Sequence, residues 1–478
     1  MKKPNEMLIN GDWLPASDGA REDIINPATE QVIDSVPIAT DADLEQALAA
    51  AERGSSEWRQ VDAWTRSALL RKVAGLIRER TDSIAEILTE EQGKPLAESK
   101  GELGAAADQF DWYADEARRI YGRMIDGHSR EHRLMVIRQP IGPVAAFVPW
   151  NFPALLSVRK IAPAIATGCS IIVNPPIEAP RTVLCMAQAC QDAGLPPGVL
   201  NMVTGSGAHI SKKLIESGVI RKVSLTGSIP VGRQILKLCA DAMIPASMEL
   251  GGHSPVIVFE DADVEQTAEI CARGKFRNMG QVCISASRFF VQESIVDQFT
   301  EHFVKITREL KIGDGKDPET EAGPLANQRR VDSAEALVAD AVGKGATLAC
   351  GGRRPEGFDK GFYYEPTVLS GVEDSMKVMS DEPFGPVAPI ASFTDMDDAL
   401  RKANGTAFGL AGYVFTRDTR RAFLVSEGLE VGMVGVNNLV IATAEAPFGG
   451  VKDSGFGREG GSEGIEAYTT TKYINILL

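Results

Sequence analysis

The sequence predicts an α/β protein built on parallel, doubly wound sheets, and three observations predict it. From residue 142 onward, strand-like and helix-like stretches alternate. The strand-like stretches are near-continuous apolar runs, such as "SIIVN", as expected of strands covered on both faces. A chain of 478 residues is too long for one core, so two or three domains are expected.

The elements follow in order. Before the alternation begins, the chain reads as helical. "DADLEQALAAAERGSSEWRQ" opens with acidic capping residues and spaces its apolar residues at a helical period. "TRSALLRKVAGLIRERTDSIAEILTEEQGKP" reads as two helices with a break near Asp82. "ELGAAADQFDWYADEARRIYG" reads as a long amphipathic helix ending near Gly122. "HRLMVIRQPIGPVAAFVPW" is rich in β-branched residues and reads as strands. Then come helix "ALLSVRKIAPAIATG", strand "CSIIVNPP", helix "RTVLCMAQACQDAG" and strand "VLNMVTGSG". Helix "AHISKKLIES", strand "RKVSLTGS" and helix "PVGRQILKLCADA" complete this array. A second alternating region begins at "SPVIVFED" and runs past residue 430, and "TTTKYINILL" reads as a strand without a local partner.

Composition narrows the function classes. Net charge is −15, against a broad nucleic-acid footprint or an anionic membrane surface. No apolar run has the length of a membrane span, and the start lacks the apolar stretch of a signal peptide. Seven cysteines without a C-x-x-C fit free thiols in a reducing cytoplasm. Five histidines show no metal-ligand spacing.

Ligands of such sheets bind beyond the carboxyl ends of the strands, so the turns "PWNFP", "NPPIEAP", "TGSGAH" and "LTGSIPVG" carry the interest. Gly205 lies in a partial Rossmann fingerprint whose third glycine is replaced by Ile210. Gly227 and Gly232 would let backbone approach a phosphate at a helix N-terminus, or they serve a tight turn. Glu249, between Met248 and Leu250, is either a solvated carboxylate or a partly buried base of raised pKa. Six cysteines sit in apolar segments, whereas Cys283 sits in the polar stretch "FRNMGQVCISASR". It is a small buried residue or a nucleophile, with Arg277 and Arg288 nearby to favour its thiolate.

Taken together, "VPWNFP", "LTGSIPVG", "MELGG", "FRNMGQVCISASR", "DEPFGPV" and "APFGGVKDSGFGREGG" resemble the aldehyde dehydrogenase superfamily, in its order and over nearly the whole chain. "WYADEARRIYG", "RQPIGPVAAFVPWNFP", "RKIAPAIATGC" and "KFRNMGQVC" are most similar to succinate-semialdehyde dehydrogenases. The resemblance implies two Rossmann-type domains and a β-arm. Residues 1–122 and 142–249 would bind the dinucleotide, 250–445 would carry catalysis, and 123–141 with 446–478 would form the arm of a homodimer or homotetramer. It also implies Cys283 as nucleophile, Glu249 as general base and Asn151 as oxyanion donor. Pro149, Trp150, Asn174, Gly205, Gly227, Ser228, Gly232, Leu250, Glu382 and Phe384 fall at cofactor positions, with Glu382 at the nicotinamide ribose. Arg159, Arg277 and Thr443 fall where succinate-semialdehyde enzymes hold the substrate's distal carboxylate, a task suited to arginine, although a structural ion pair would account for either arginine.

The implied reaction is NAD- or NADP-dependent oxidation of a small anionic aldehyde to its acid. Succinate semialdehyde leads, and glutarate semialdehyde, 2-oxoglutarate semialdehyde and sulfolactaldehyde are alternatives. Carrying both Cys283 and Glu249 favours hydrolysis of the thioester over transfer to coenzyme A. One stretch departs from the family: Asn174 stands where relatives carry a lysine, and Ile177 where they carry Glu or Ser. Without that lysine, and with Glu178 close by, a 2′-phosphate loses its cation, which tilts the expectation to NAD. Two rivals are a non-catalytic protein that kept the fold and a thioesterase using Cys283 and Glu249 without redox chemistry.

Overall fold

The computed structural model describes residues 4–478. Its first sheet has eight strands, in the order Gly455–Phe456, Ala246–Glu249, Lys222–Thr226, Val144–Phe147, Ile171–Asn174, Leu200–Met202, Met7–Ile9 and Asp12–Leu14. The five strands between residues 144 and 249 run parallel. The outer strands at both edges are antiparallel. From Val144–Phe147 the chain steps outward twice in one direction, then returns to lay Lys222–Thr226 on the other side. The strand order therefore reverses between Val144–Phe147 and Lys222–Thr226, and a crevice opens beyond their carboxyl ends.

Alternation along the strands explains why this sheet is doubly covered. Val144, Ala146, Ile171 and Val173 enter one core with the helices Ala63–Glu79, Leu96–Glu116 and Pro153–Thr167. Ala145, Phe147, Ile172 and Val223 enter another, with Asp41–Trp58, Gly207–Glu216 and Ile229–Asp241. Successive side chains point to opposite faces, so an uninterrupted apolar run is what two covered faces require. Local signals set the helix ends. Thr40 Oγ1 accepts from Asp43 N–H while Asp43 Oδ2 accepts from Thr40 N–H, a reciprocal cap that starts Asp41–Trp58.

The second sheet has seven strands, in the order Thr347–Cys350, Thr367–Ser370, Val387–Phe393, Ala286–Gln292, Ser254–Val258, Ala411–Phe415 and Met433–Val436. All neighbours are parallel except the pair at the Thr347–Cys350 edge. It too feeds two cores: Ile257, Phe290 and Val414 face one, Val256, Phe289 and Tyr413 the other.

The strand "TTTKYINILL" finds its partner far away in sequence. Thr469–Leu477 pairs antiparallel with His132–Pro140, which pairs with Arg123–Asp126. The segment leading to it does not belong wholly to this small sheet, because Gly455–Phe456 extends the first sheet beside Ala246–Glu249. Among the described residues no helix is long and apolar enough to cross a membrane.

Candidate active site

A cavity of about 300 Å³ lies at the crevice where the strand order of the first sheet reverses. Pro149, Trp150 and Asn151 reach it from the turn after Val144–Phe147, and Thr226, Gly227 and Ser228 from the turn after Lys222–Thr226. Leu250 and Gly251 enter beyond the next strand, and Cys283, Glu382 and Phe384 close it from the second sheet's side. The Trp150 and Phe384 rings meet edge to face, with centroids 5.6 Å apart.

Cys283 follows a strained turn. Asn278 and Met279 have φ of 45° and 54°, costly for side chains that are not glycine. Hydrogen bonds hold the turn in place. Asn278 Nδ2 donates to Asn151 O at 3.1 Å, Gln92 Nε2 donates to Asn278 Oδ1 at 3.1 Å, and Asn278 N–H donates to Glu98 Oε2 at 2.9 Å. Asn151 Nδ2 donates to Gln281 O at 3.0 Å, which leaves its second N–H for another acceptor. Two glycines make room for this packing. A Cβ on Gly252 would fall 2.5 Å from Cys283 O, and one on Gly251 would fall 2.5 Å from Glu382 Oε2.

Cys283 keeps part of its surface open, but its thiol sits in dense surroundings. Burial, with the nearby Glu382 and Glu249 carboxylates, pushes the thiol up to about 12. Arg159 pulls the other way. The flanking arginines expected to favour the thiolate are engaged elsewhere. Arg288 gives its guanidinium to the carbonyls of His253, Lys402 and Ala403. Arg277 is exposed and lies over the Phe152 ring, 5.1 Å from its centroid.

Glu249 is 2% exposed and ends the strand Ala246–Glu249. Among the described residues neither of its carboxylate oxygens has a hydrogen-bond partner. Burial and the neighbouring Glu459 carboxylate hold its carboxyl well above the usual range, against Lys160, Arg159 and Arg458. Such a group resists ionisation, and once ionised it is a strong base for a carboxylate. Glu382 accepts from Gly252 N–H at 3.0 Å, and burial pushes it up to about 7.

A second recess lies across helix Pro153–Thr167. That helix gives Leu156 to the first cavity, and Leu155 and Arg159 to the recess. Ala442, Thr443 and Ala444 form another wall. Arg159 is 2% exposed, lies over the Phe448 ring at 4.1 Å, and leaves its Nε without a partner among the described residues. Asp111 and Asp115 line the rim but are paired with Arg71, and Asp108 with Arg78.

Thus nine of the residues singled out from the sequence line the first cavity: Pro149, Trp150, Asn151, Gly227, Ser228, Leu250, Cys283, Glu382 and Phe384. Arg159 and Thr443 line the recess instead. Glu249, Arg277, Asn174, Gly205 and Gly232 line neither. Asn174 is buried and donates to Val203 O at 2.9 Å, so it joins two strand ends. Gly205 packs against Ile38 and Ala39, and Gly232 makes room for the Leu250 side chain. Sequence reasoning missed Thr226, Leu156, Asn327, Arg329 and Arg330 in the cavity lining, and Lys160 and Glu459 beside Glu249. Lys160 stands next to Arg159 in the chain, and the helical register gave no sign that both would be buried. "NQRR" carries no motif at all.

The residues present suit a dinucleotide. Helix Ile229–Asp241 opens at Ser228 without a side-chain cap, so first-turn amides remain for a phosphate. Glu382 is an acceptor for ribose hydroxyls within the same cavity.

Comparison with known proteins agrees with this geometry. The model of the aldehyde dehydrogenase family matches residues 13–474. The chain is 44% identical over 471 residues to the Escherichia coli succinate-semialdehyde dehydrogenase [NADP(+)] GabD, covering 98% of this chain and 97% of that protein. It is also 44% identical over 471 residues to a Pseudomonas putida glutarate-semialdehyde dehydrogenase, with the same coverage. A crystal structure of succinate-semialdehyde dehydrogenase from Burkholderia pseudomallei superposes with a TM-score of 0.98, at 41% identity over 100% of both chains.

Proposed function

The chain belongs to the aldehyde dehydrogenase family, and we propose that it oxidises a small aldehyde with an anionic far end to the carboxylic acid, using NAD or NADP. Succinate semialdehyde is the leading substrate, with glutarate semialdehyde next, because the similar proteins carry those activities in their names. One observation carries the reading. Cys283 and Asn151 share a cavity with a dinucleotide-type turn and Glu382, while the buried Arg159, close enough to act on Cys283, lines a recess on the other side of one helix.

The roles follow from the chemistry of each position. Cys283, as its thiolate, attacks the aldehyde carbon. The oxyanion that forms accepts hydrogen bonds from the spare Asn151 N–H and the Cys283 backbone N–H. The dinucleotide, when bound, supplies the hydride acceptor, and Glu382 and the Gly227–Ser228 turn hold it. A thioester to Cys283 remains. Glu249 then takes a proton from water, which releases the acid and frees the thiol. Arg159 and Thr443 from the recess, and Arg277 from beside Phe152, pair with the distal anionic group. The first sheet, with residues 1–122 and 142–249, serves the dinucleotide, and 250–445 carries the nucleophile. The exposed apolar residues Met124, Ile125, Tyr473, Ile476 and Leu477 suit the small sheet to pairing subunits into a dimer or tetramer.

The test is initial rates with succinate semialdehyde, glutarate semialdehyde and butanal, each with NAD and with NADP. A large kcat/KM preference for the acid aldehydes is expected. Equal rates with butanal would make Arg159 and Arg277 structural. No turnover of any of the three would sink the substrate assignment.

A further inference from the structure

A dinucleotide brings two phosphate charges into a protein whose own net charge is −15. Something must offset them locally. Among the described residues, the only basic side chains lining the cavity are Arg329 and Arg330, both in the first turn of helix Gln328–Gly343. Asn174, where relatives carry a lysine, contributes nothing, because its buried amide is bound to Val203 O.

The two arginines are not alike. Arg329 is exposed and pairs with Glu178 Oε1 at 3.2 Å. That pair ties the helix to the turn after Ile171–Asn174. Arg330 is half-buried, and among the described residues its guanidinium has no ion pair and no hydrogen bond. Its electrostatic neighbours are Glu382, which attracts it, and Arg329, which repels it. Among the more deeply buried arginines, Arg288 has three carbonyls and Arg181 has Asp34 and Glu90, while Arg159 lies over the Phe448 ring on the recess assigned to the substrate's anion. A partly desolvated guanidinium with no protein partner, facing a cavity, is suited to an anion that enters it. Beside it, the buried Asn327 Oδ1 also lacks a partner, and the helix begins without a side-chain cap.

We propose that Arg330 binds the pyrophosphate of the dinucleotide. This rests on the dinucleotide reading of the cavity. The position of Glu382 selects the pyrophosphate over a 2′-phosphate. Glu382 takes the hydroxyls of the nicotinamide ribose in that reading, and the pyrophosphate hangs on the 5′ carbon of that same sugar. A 2′-phosphate sits on the adenosine ribose, at the opposite end of the molecule. Of the two cations that act on Glu382, Arg330 and Lys275, only Arg330 lines the cavity, which places it beside the pyrophosphate and not the adenosine ribose. The contact is common to NAD and NADP, so it secures the dinucleotide without choosing between them.

The experiment is fluorescence titration of NADH and NADPH against the full-length protein and its Arg330→Met and Arg330→Lys variants, with ADP-ribose as a competing ligand. Arg330→Met is expected to weaken NADH, NADPH and ADP-ribose by the same factor, about tenfold, the usual scale for a lost charged hydrogen bond. Arg330→Lys recovers part of that loss, and the salt dependence of NADH binding is shallower in Arg330→Met. Weakening confined to NADPH would overturn the assignment and move Arg330 to the 2′-phosphate. Unchanged affinity for all three ligands would overturn it entirely. A wild-type protein that binds neither NADH nor NADPH would instead overturn the dinucleotide reading beneath it, so the two failures separate. Unaltered thermal melting of Arg330→Met without ligand shows that any loss is not unfolding.

Discussion

The two sides of Cys283 are built by different means. The dinucleotide side is made of turns that follow parallel strands, so its lining is fixed by sheet topology and backbone. The recess side is made of side chains from helices Leu96–Glu116 and Pro153–Thr167 and from the 442–445 loop, so its character depends on which residues those elements present. One fold can thus keep a common hydride-transfer site and vary its aldehyde by changing a few side chains. Relatives named for succinate and glutarate semialdehydes, equally similar to this chain, fit that division.

The largest effect should come from the group both sides share. Cys283→Ala is expected to lower aldehyde oxidation by on the order of 10⁴-fold or more, while NADH affinity and thermal midpoint stay near wild type. Residual turnover within tenfold of wild type would remove Cys283 from its role and break the comparison at its centre.

Glu249→Gln sharpens the division by separating two half-reactions. Its thioester hydrolysis should fall on the order of 10² to 10⁴-fold. Rapid mixing should still show a burst of about one reduced dinucleotide per subunit, because Cys283 and Asn151 are untouched. Loss of the burst would place Glu249 in the first half-reaction. In the wild type, hydrolysis should rise with pH as the raised Glu249 carboxyl ionises, and it should be lost on acidification.

Asn151→Ala is expected to cost about 10² to 10³ in kcat with every aldehyde, as removal of one oxyanion donor does. A loss that differed between succinate semialdehyde and butanal would show that Asn151 reads the substrate's far end instead.

Arg277→Met probes recognition of the substrate's far end from a residue outside the dinucleotide cavity. It should raise KM for succinate semialdehyde about tenfold and leave butanal unchanged. Arg277 is the cleaner choice because Arg159 also acts electrostatically on Cys283 and Glu249. Equal effects on both aldehydes would deny Arg277 a role in recognition.

The same division marks what could be read from the sequence. Strand-to-helix turns announce themselves through glycine, proline and the end of an apolar run, and Pro149, Trp150, Asn151, Gly227 and Ser228 line the first cavity from such turns, whereas Glu382 and Phe384 were found there by resemblance alone. Gly205 and Gly232 carried the same signals and serve packing, because a glycine needed for close approach looks the same whatever approaches it. Asn174 was assigned by family position alone, and in the fold it is a buried strand-end amide bound to Val203 O. Arg159 and Arg277 were found by resemblance, but their different exposures depend on tertiary packing. Arg330 was illegible for the opposite reason: a basic residue in the first turn of a helix reads as a solvated surface until the second sheet is folded over it. The local pattern made Thr469–Leu477 visible as a strand but showed no partner for it; the resemblance alone grouped it with residues 123–141, and it pairs with His132–Pro140.

The smallest expected effect lies within the dinucleotide side and concerns charge. Glu382 is pushed up to about 7 by burial, while Gly252 N–H, Arg330 and Lys275 favour its ionised form. The ionised carboxylate is the better acceptor for two ribose hydroxyls, so NADH affinity should rise as pH increases through about 7, by a few-fold. The sign for folding is opposite. A carboxyl whose pKa is raised on folding contributes stability that is full below its unfolded value near 4.5 and is lost as pH rises through about 7. Ligand-free protein should therefore lose a little thermal stability over the interval in which it gains dinucleotide affinity. Glu382→Gln, which cannot ionise, should flatten both curves. An NADH affinity that kept its full pH dependence in that variant would move the titration to another group, and the pairing of Glu382 with the ribose would lose its support.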